Sequence, residues 1–65
     1  MKNTDVREAT HVKCPNGQIE RIVEKIGVGH DGRLAKPSEG GFAVRTETGK
    51  TVSMWQARAY FKDGE

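Results

Sequence analysis

The alternation of apolar and polar residues along the chain predicts a small all-β protein of about five short strands. The first strand is expected within residues 10–14, where the sequence alternates, because a Pro-Asn-Gly turn signal follows at residues 15–17. A hairpin is expected over residues 42–55, with a turn at Thr48-Gly49 where glycine supplies a positive φ. The residues of its first strand that alternate toward one side are Phe42, Val44 and Thr46.

Residues 18–26 are open to two interpretations. The residues that are spaced as on one face of a helix are Ile19, Ile22, Val23 and Ile26. Their β-branched side chains favour a strand, however. Two like-charged pairs at a spacing of four residues would also destabilise a helix, by about 0.2–0.5 kcal/mol each. We predict a long, bent strand and keep a short helix as the alternative.

Glycine-rich residues 27–41 predict a long, irregular loop that Leu34 would pin to the core. Residues 54–62 again have two interpretations, since Ser53 and Gln56 form a capping-box pattern that would start a helix, whereas the apolar residues alternate as in a strand. We predict a single 3₁₀ turn followed by a short last strand, because so small a sheet must protect its edge. The alternative fold is a three-stranded sheet with one or two short helices.

The length of 65 residues allows one domain with one small core, and homo-oligomerisation would add stability that such a core lacks. We place the domain at residues 10–62, between a mobile tail at 1–9 and a short tail at 63–65. The first residues are polar and hold no apolar run that would form a signal peptide or a membrane span. Cys14 is the only cysteine, which favours a reducing, cytoplasmic setting.

Charge is distributed unevenly along the chain. The formal net charge is only +2, but residues 33–62 hold six of the eleven basic residues and two of the nine acidic residues. A basic region that also contains every Phe, Trp and Tyr indicates an anionic partner whose bases can stack. The candidate nucleic-acid-binding residues are Arg33, Lys36, Arg45, Lys50, Trp55, Arg58 and Tyr60.

Residues that would support catalysis or metal binding are sparse. His11 and Cys14 would point to opposite faces of a strand, so they make a poor nucleophile and base pair. No spacing of ligands matches a zinc pattern, and the GVGHDG segment at residues 27–32 lacks the Gly-Lys-Ser/Thr ending of a phosphate loop. We predict a non-enzymatic protein without a metal or cofactor.

The order of these segments resembles that of SH3-like small β-barrels over residues 10–62. Plasmid-borne type II dihydrofolate reductases are similar at residues 17–19 and 41–44, but only Val52 matches their substrate-lining Val-Gln-Ile-Tyr motif. Small crenarchaeal chromatin proteins, which bind the DNA minor groove through a basic three-stranded face, are similar at residues 12–17 and 47–50 and are more basic than this chain.

The sequence therefore predicts an SH3-like barrel that acts as a binding module, with nucleic acid, DNA or RNA, as the first candidate partner. Basic residues would contact phosphates, while Trp55 and Tyr60 would stack on bases. The core is expected to include Phe42, Val44 and Phe61, and Arg58 and Tyr60 would lie on the polar side of the last strand. The alternative is a protein-interaction module that uses Trp55, Phe42 and the 27–41 loop. A distant third is an oligomeric enzyme of the reductase type.

Overall fold

The chain forms one antiparallel sheet in a computed structural model that describes residues 3–63. Its five strands are β1 (His11–Lys13), β2 (Ile19–Ile26), β3 (Ala43–Thr46), β4 (Thr51–Ser53) and β5 (Ala59–Phe61). They lie in the order β4-β3-β2-β1-β5, and the described part of the chain holds no α-helix. The prediction of an all-β protein is confirmed.

Strand β2 joins the two parts of the sheet and contains a bulge. Its first residues pair with β1, its last residues pair with β3, and the register shifts between Ile22 and Glu24. A bulge changes which side chains face a given side of the sheet. Ile19 faces outward by alternation with the buried Glu20, Val23 lies within the bulge, and Ile26 comes to the outer side after it; these residues are 46%, 57% and 44% exposed. The helix-like spacing of residues 18–26 thus belongs to a bent strand, as predicted, and the helix alternative is wrong.

The core is small and consists mainly of valine. Its buried members are Val6, Val12, Cys14, Val44 and Val52, and the partly buried side chains packed against them are Ile22, Leu34, Phe42, Ala57 and Tyr60. Val44 lies opposite Val52 in the β3–β4 ladder, so the predicted inward side of the hairpin is confirmed. Phe61 is also buried, at 8% exposure.

Residues 3–9 are not the mobile tail that the sequence predicts. Asn3 pairs with Phe61, and the Thr4 N–H donates to the Tyr60 carbonyl at 2.8 Å. Val6 is 4% exposed within the core cluster. The polar composition of the segment does not indicate that it packs on the core, because a single inward-facing valine is enough to attach it to so small a core. Residues 1–2 and 64–65, the remainder of the two predicted tails, lie outside the described residues.

The hairpin closes through the predicted turn. The Gly49 N–H donates to the Thr46 carbonyl at 2.9 Å, and Gly49 has a φ of 87°. This is the conformation that glycine adopts without steric cost in a three-residue hairpin loop. Strand β4 is shorter than predicted and leaves the ladder at Met54.

The single 3₁₀ helix lies at Pro37–Glu39, within the β2–β3 loop, and not before β5 as predicted. Before β5 the chain makes a hydrogen-bonded turn, in which the Gln56 N–H donates to the Ser53 carbonyl at 3.0 Å. The Ala57 N–H donates to the same carbonyl, so the chain makes one turn and then runs back toward the core. In the long loop, Leu34 pairs with Val28 and packs against the core, as predicted.

Both edges of the sheet are partly covered. In β4 the Ser53 N–H, which points away from β3 in the alternating ladder, donates to Oε1 of Gln56 at 3.1 Å. Along β5 the outer edge is covered by Asn3 and Thr4. Addition of a partner strand to either edge therefore has few free backbone groups to use. No helix of the described residues is long and apolar enough to cross a membrane.

Candidate nucleic-acid interface

Trp55 is the most exposed large apolar side chain among the described residues, at 64%. It lies on the turn between β4 and β5, because the chain leaves the β3–β4 ladder at Met54. The indole lies next to Gly41, where a Cβ atom would come within 3.3 Å of it and within 2.4 Å of the Met54 sulfur. We call Trp55, Met54 and Gly41 the Trp55 platform; it presents an aromatic ring to solvent.

Tyr60 is not the exposed stacking residue that the sequence predicts. It lies opposite Val12 on the core side of β5, and its ring centroid is 6.3 Å from that of Phe42. Its hydroxyl is buried without a hydrogen-bond partner in the described structure, and burial raises the pKa of the phenol. The alternation of the last strand predicts that Tyr60 lies on a polar side, but the register of β5 with β1 turns this side chain toward the core.

Lys50 is joined to a buried carboxylate. Its Nζ lies 3.2 Å from Oε2 of Glu20, which is 8% exposed on the core side of β2. The Thr48 hydroxyl donates to Oε1 of Glu20 and is itself hydrogen-bonded to the Thr46 hydroxyl; these hydroxyls and the nearby Lys50 ammonium lower the pKa of Glu20 to about 2. Lys50 therefore neutralises a charge inside the fold, and the cluster fastens the β3–β4 turn to β2.

Two further predicted cations also face carboxylates. Arg45 forms an ion pair with Glu24 across the β2–β3 ladder, and Nη2 of Arg33 lies 3.7 Å from Glu39 Oε2 in the long loop. An acidic partner on the same surface removes most of the field that would attract a phosphate. Arg45 and Lys50 thus do not share one basic face: Arg45 lies on the outer side of the sheet, while Lys50 reaches a carboxylate of the inner side.

Lys36 and Arg58 remain as predicted cations that have no carboxylate within ion-pair distance among residues 3–63. The Lys36 carbonyl accepts a 2.9 Å hydrogen bond from the Gly41 N–H, so Lys36 adjoins the Trp55 platform. Arg58 is exposed three residues after Trp55, and its N–H donates to the Lys13 carbonyl at 3.0 Å.

The sequence-based prediction missed Lys13 and Arg21. In the β1–β2 ladder Lys13 lies opposite Ile19 and His11 lies opposite Arg21, so these side chains share the outer side of the sheet. Neither cation has an ion-pair partner in the part of the chain that the structure describes. Alternation about the buried Val12 would have placed Lys13 outward, but the pairing of β1 with β2 is needed to bring Arg21 beside it.

The long loop borders an open cleft of about 510 Å³, lined among others by Asp31, Arg33 and Glu39. Asp31 accepts the Arg33 N–H at 3.0 Å, so one of the cleft's carboxylates holds its own turn together. The cleft mixes both signs of charge, which does not single out an anionic ligand. Among the described residues no three potential metal ligands are grouped together.

No protein-family model, no curated protein and no solved structure matches this chain.

Proposed function

We propose that this chain is an SH3-like β-barrel that acts as a non-enzymatic binding module for nucleic acid. The barrel part of the proposal is supported by the strand order β4-β3-β2-β1-β5 and by the bulged β2, which takes part in both ladders. A strand that bends at a bulge and pairs on both sides is the usual device by which a small sheet curls on itself. Because this fold serves many roles, it does not identify the partner, which is inferred from the exposed residues.

The main support for nucleic acid as the partner is the exposure of Trp55. An indole that is 64% exposed presents most of its ring to solvent, where a partner can stack on it. Aromatic rings stack on nucleobases whatever the base, at about 1–3 kcal/mol per base. The adjoining Lys36 and Arg58 supply unpaired positive charge for phosphates.

Fluorescence of Trp55, the only tryptophan, reports the proposed contact directly. The protein is titrated at 50 mM salt with a single-stranded RNA and with a mixed-sequence DNA duplex. We expect quenching by at least one of them, weakening toward 200 mM salt because phosphate contacts release counterions. Absence of binding to both at 50 mM salt, checked by anisotropy of labelled oligonucleotides, would overturn the proposal.

Trp55→Ala tests the role of the indole, with anisotropy as the readout because the variant has no tryptophan. Loss of one stacked base predicts a decrease in affinity of about 5- to 150-fold. Val23→Ala is the matched control, since Val23 is 57% exposed on the bulge of β2 and away from the platform. Equal affinities of the two variants for nucleic acid would show that Trp55 is not part of the interface.

A protein partner is the second candidate, favoured by the same platform. The Met54 sulfur and the indole beside Gly41 form an apolar surface, and Phe42 is half-buried next to it. With both sheet edges partly covered, such a partner would bind through side chains and not by adding a strand. Its signature is binding that depends on Trp55 and persists at 200 mM salt, whereas phosphate binding weakens there.

A further inference from the structure

We infer that the partner is a single-stranded nucleic acid whose phosphates contact Lys13, Arg21 and Arg58 and not the β3–β4 hairpin; this rests on the proposed function. We call these three residues the cation track. None of its side chains is within 4 Å of a carboxylate among residues 3–63, in contrast to Arg33, Arg45 and Lys50.

The backbone links the track to the Trp55 platform. Arg58 follows Trp55 by three residues, and its N–H donates to the Lys13 carbonyl at 3.0 Å. Lys13 is then joined through the β1–β2 ladder to the side of the sheet on which Arg21 lies. Trp55 and Arg58 are thus close along the chain, the backbones of Arg58 and Lys13 are joined, and the side chains of Lys13 and Arg21 share the outer side of the sheet.

The acidic residues near the track that the structure describes form no ion pair with it. Glu20, the sequence neighbour of Arg21, faces the core and binds Thr48 and Lys50. Glu47 is near Arg21 through its backbone, since its N–H donates to the Arg21 carbonyl at 2.9 Å, but no ion pair joins the two side chains. A phosphate approaching the track therefore meets positive charge without first displacing a carboxylate.

Stacking on Trp55 favours a single strand over a duplex. A base can lie on the indole only if it has left its own stack, which costs least in an unpaired strand and more in a duplex, where a base pair must also be broken. Three cations are also few for a duplex, where positioning relies on many phosphate contacts. We expect a single strand to bind at least about tenfold more tightly than a duplex of equal length.

The test measures how affinity depends on salt for single charge-removing variants. With three phosphate contacts, the slope of log K against log salt for a single strand should be about −2, which is roughly a 20-fold loss between 50 and 200 mM. Lys13→Gln, Arg21→Gln and Arg58→Gln should each reduce the steepness by about 0.7. Arg45→Gln is the matched control, because Arg45 is paired with Glu24, and should leave the slope unchanged.

The possible outcomes separate the inference from the proposed function. No binding of the unaltered protein to any nucleic acid at 50 mM salt overturns both. Binding whose slope responds to Arg45→Gln and not to the track variants overturns the inference and leaves the function, as does equal or tighter binding of a duplex. Urea denaturation of each variant checks that it folds, which is expected because the track side chains make no hydrogen bonds within residues 3–63.

Discussion

At the scale of single residues, the contrast between exposed and engaged side chains decides what this surface can do. Trp55 and Tyr60 are both aromatic and lie five residues apart, yet one is presented to solvent and the other packs on Val12. Arg45 and Arg58 have the same side chain, yet only Arg45 is paired with a carboxylate. Residue type names the candidates for binding, and the neighbours of each residue select among them.

Gly41 is the residue whose replacement should disturb the Trp55 platform most directly. It has a φ of 69°, and a Cβ atom would lie 2.4 Å from the Met54 sulfur. Gly41→Ala should lower the free energy of unfolding by about 2–3 kcal/mol, from backbone strain together with displacement of Met54. Urea denaturation measures this loss, and Trp55 emission should shift with it.

Gly40→Ala is the control for this prediction. Gly40 also has a positive φ, of 98°, but nothing lies within 4 Å of its added Cβ atom. The Gly40→Ala variant should therefore lose only about 1 kcal/mol of unfolding free energy, from backbone strain, and the emission of Trp55 should stay unchanged. Equal losses in both variants would contradict the close packing of Met54 over Gly41.

At the scale of elements, the Glu20 cluster connects the β3–β4 turn to β2. The folded-state pKa of Glu20 is lowered from 4.5 to about 2, so the carboxylate is more acidic in the folded than in the unfolded chain. Its contribution to stability is therefore present above pH 4.5 and is lost as the pH falls toward 2. Glu20→Gln should flatten the pH dependence of the unfolding free energy in this range.

Urea denaturation at pH 2–6 tests the Glu20 prediction. Glu24→Gln is the matched control, because Glu24 is half-exposed in its pair with Arg45 on the other side of the same strand. Exposed pairs contribute about 0–1 kcal/mol, so this control should keep the acid-induced loss of the unaltered protein. An unchanged acid profile in Glu20→Gln would show that other carboxyl groups cause the loss.

The segment formed by residues 3–9 is a second element whose role can be measured. Val6→Ala removes two methyl groups from the core and should cost about 2 kcal/mol of unfolding free energy. Val23→Ala removes the same atoms from a site that is 57% exposed and should change stability by less than about 0.5 kcal/mol. Equal effects of the two substitutions on stability would show that residues 3–9 form the mobile tail that the sequence predicts.

At the scale of the whole molecule, the covered sheet edges bear on the oligomeric state. Gln56 occupies a free N–H of β4, and Asn3 and Thr4 cover β5, so association by edge pairing is disfavoured. We expect a mass near 7.2 kDa by light scattering at micromolar concentration. A stable multiple of that mass would revive the reductase-type hypothesis, in which the site forms between copies.

The sequence by itself determined the class of the fold and its most local elements. The hairpin follows from strict alternation and from Gly49 at the turn, and the β2 strand follows from β-branched residues, since these signals act between near neighbours in the chain. Leu34 was correctly assigned to the core, because an apolar residue of a polar loop has nowhere else to be buried.

Only the tertiary structure decided which side chains are free to bind. The pairing of β5 with β1 sets Tyr60 opposite the buried Val12 and turns it toward the core, and nothing local to Tyr60 signals that pairing. The pairing of Arg45 with Glu24 and of Lys50 with Glu20 depends on ladders between residues that are 21 and 30 positions apart. Contacts at such separations depend on how strands register and bend, and those properties belong to the sheet and not to any one segment of the chain.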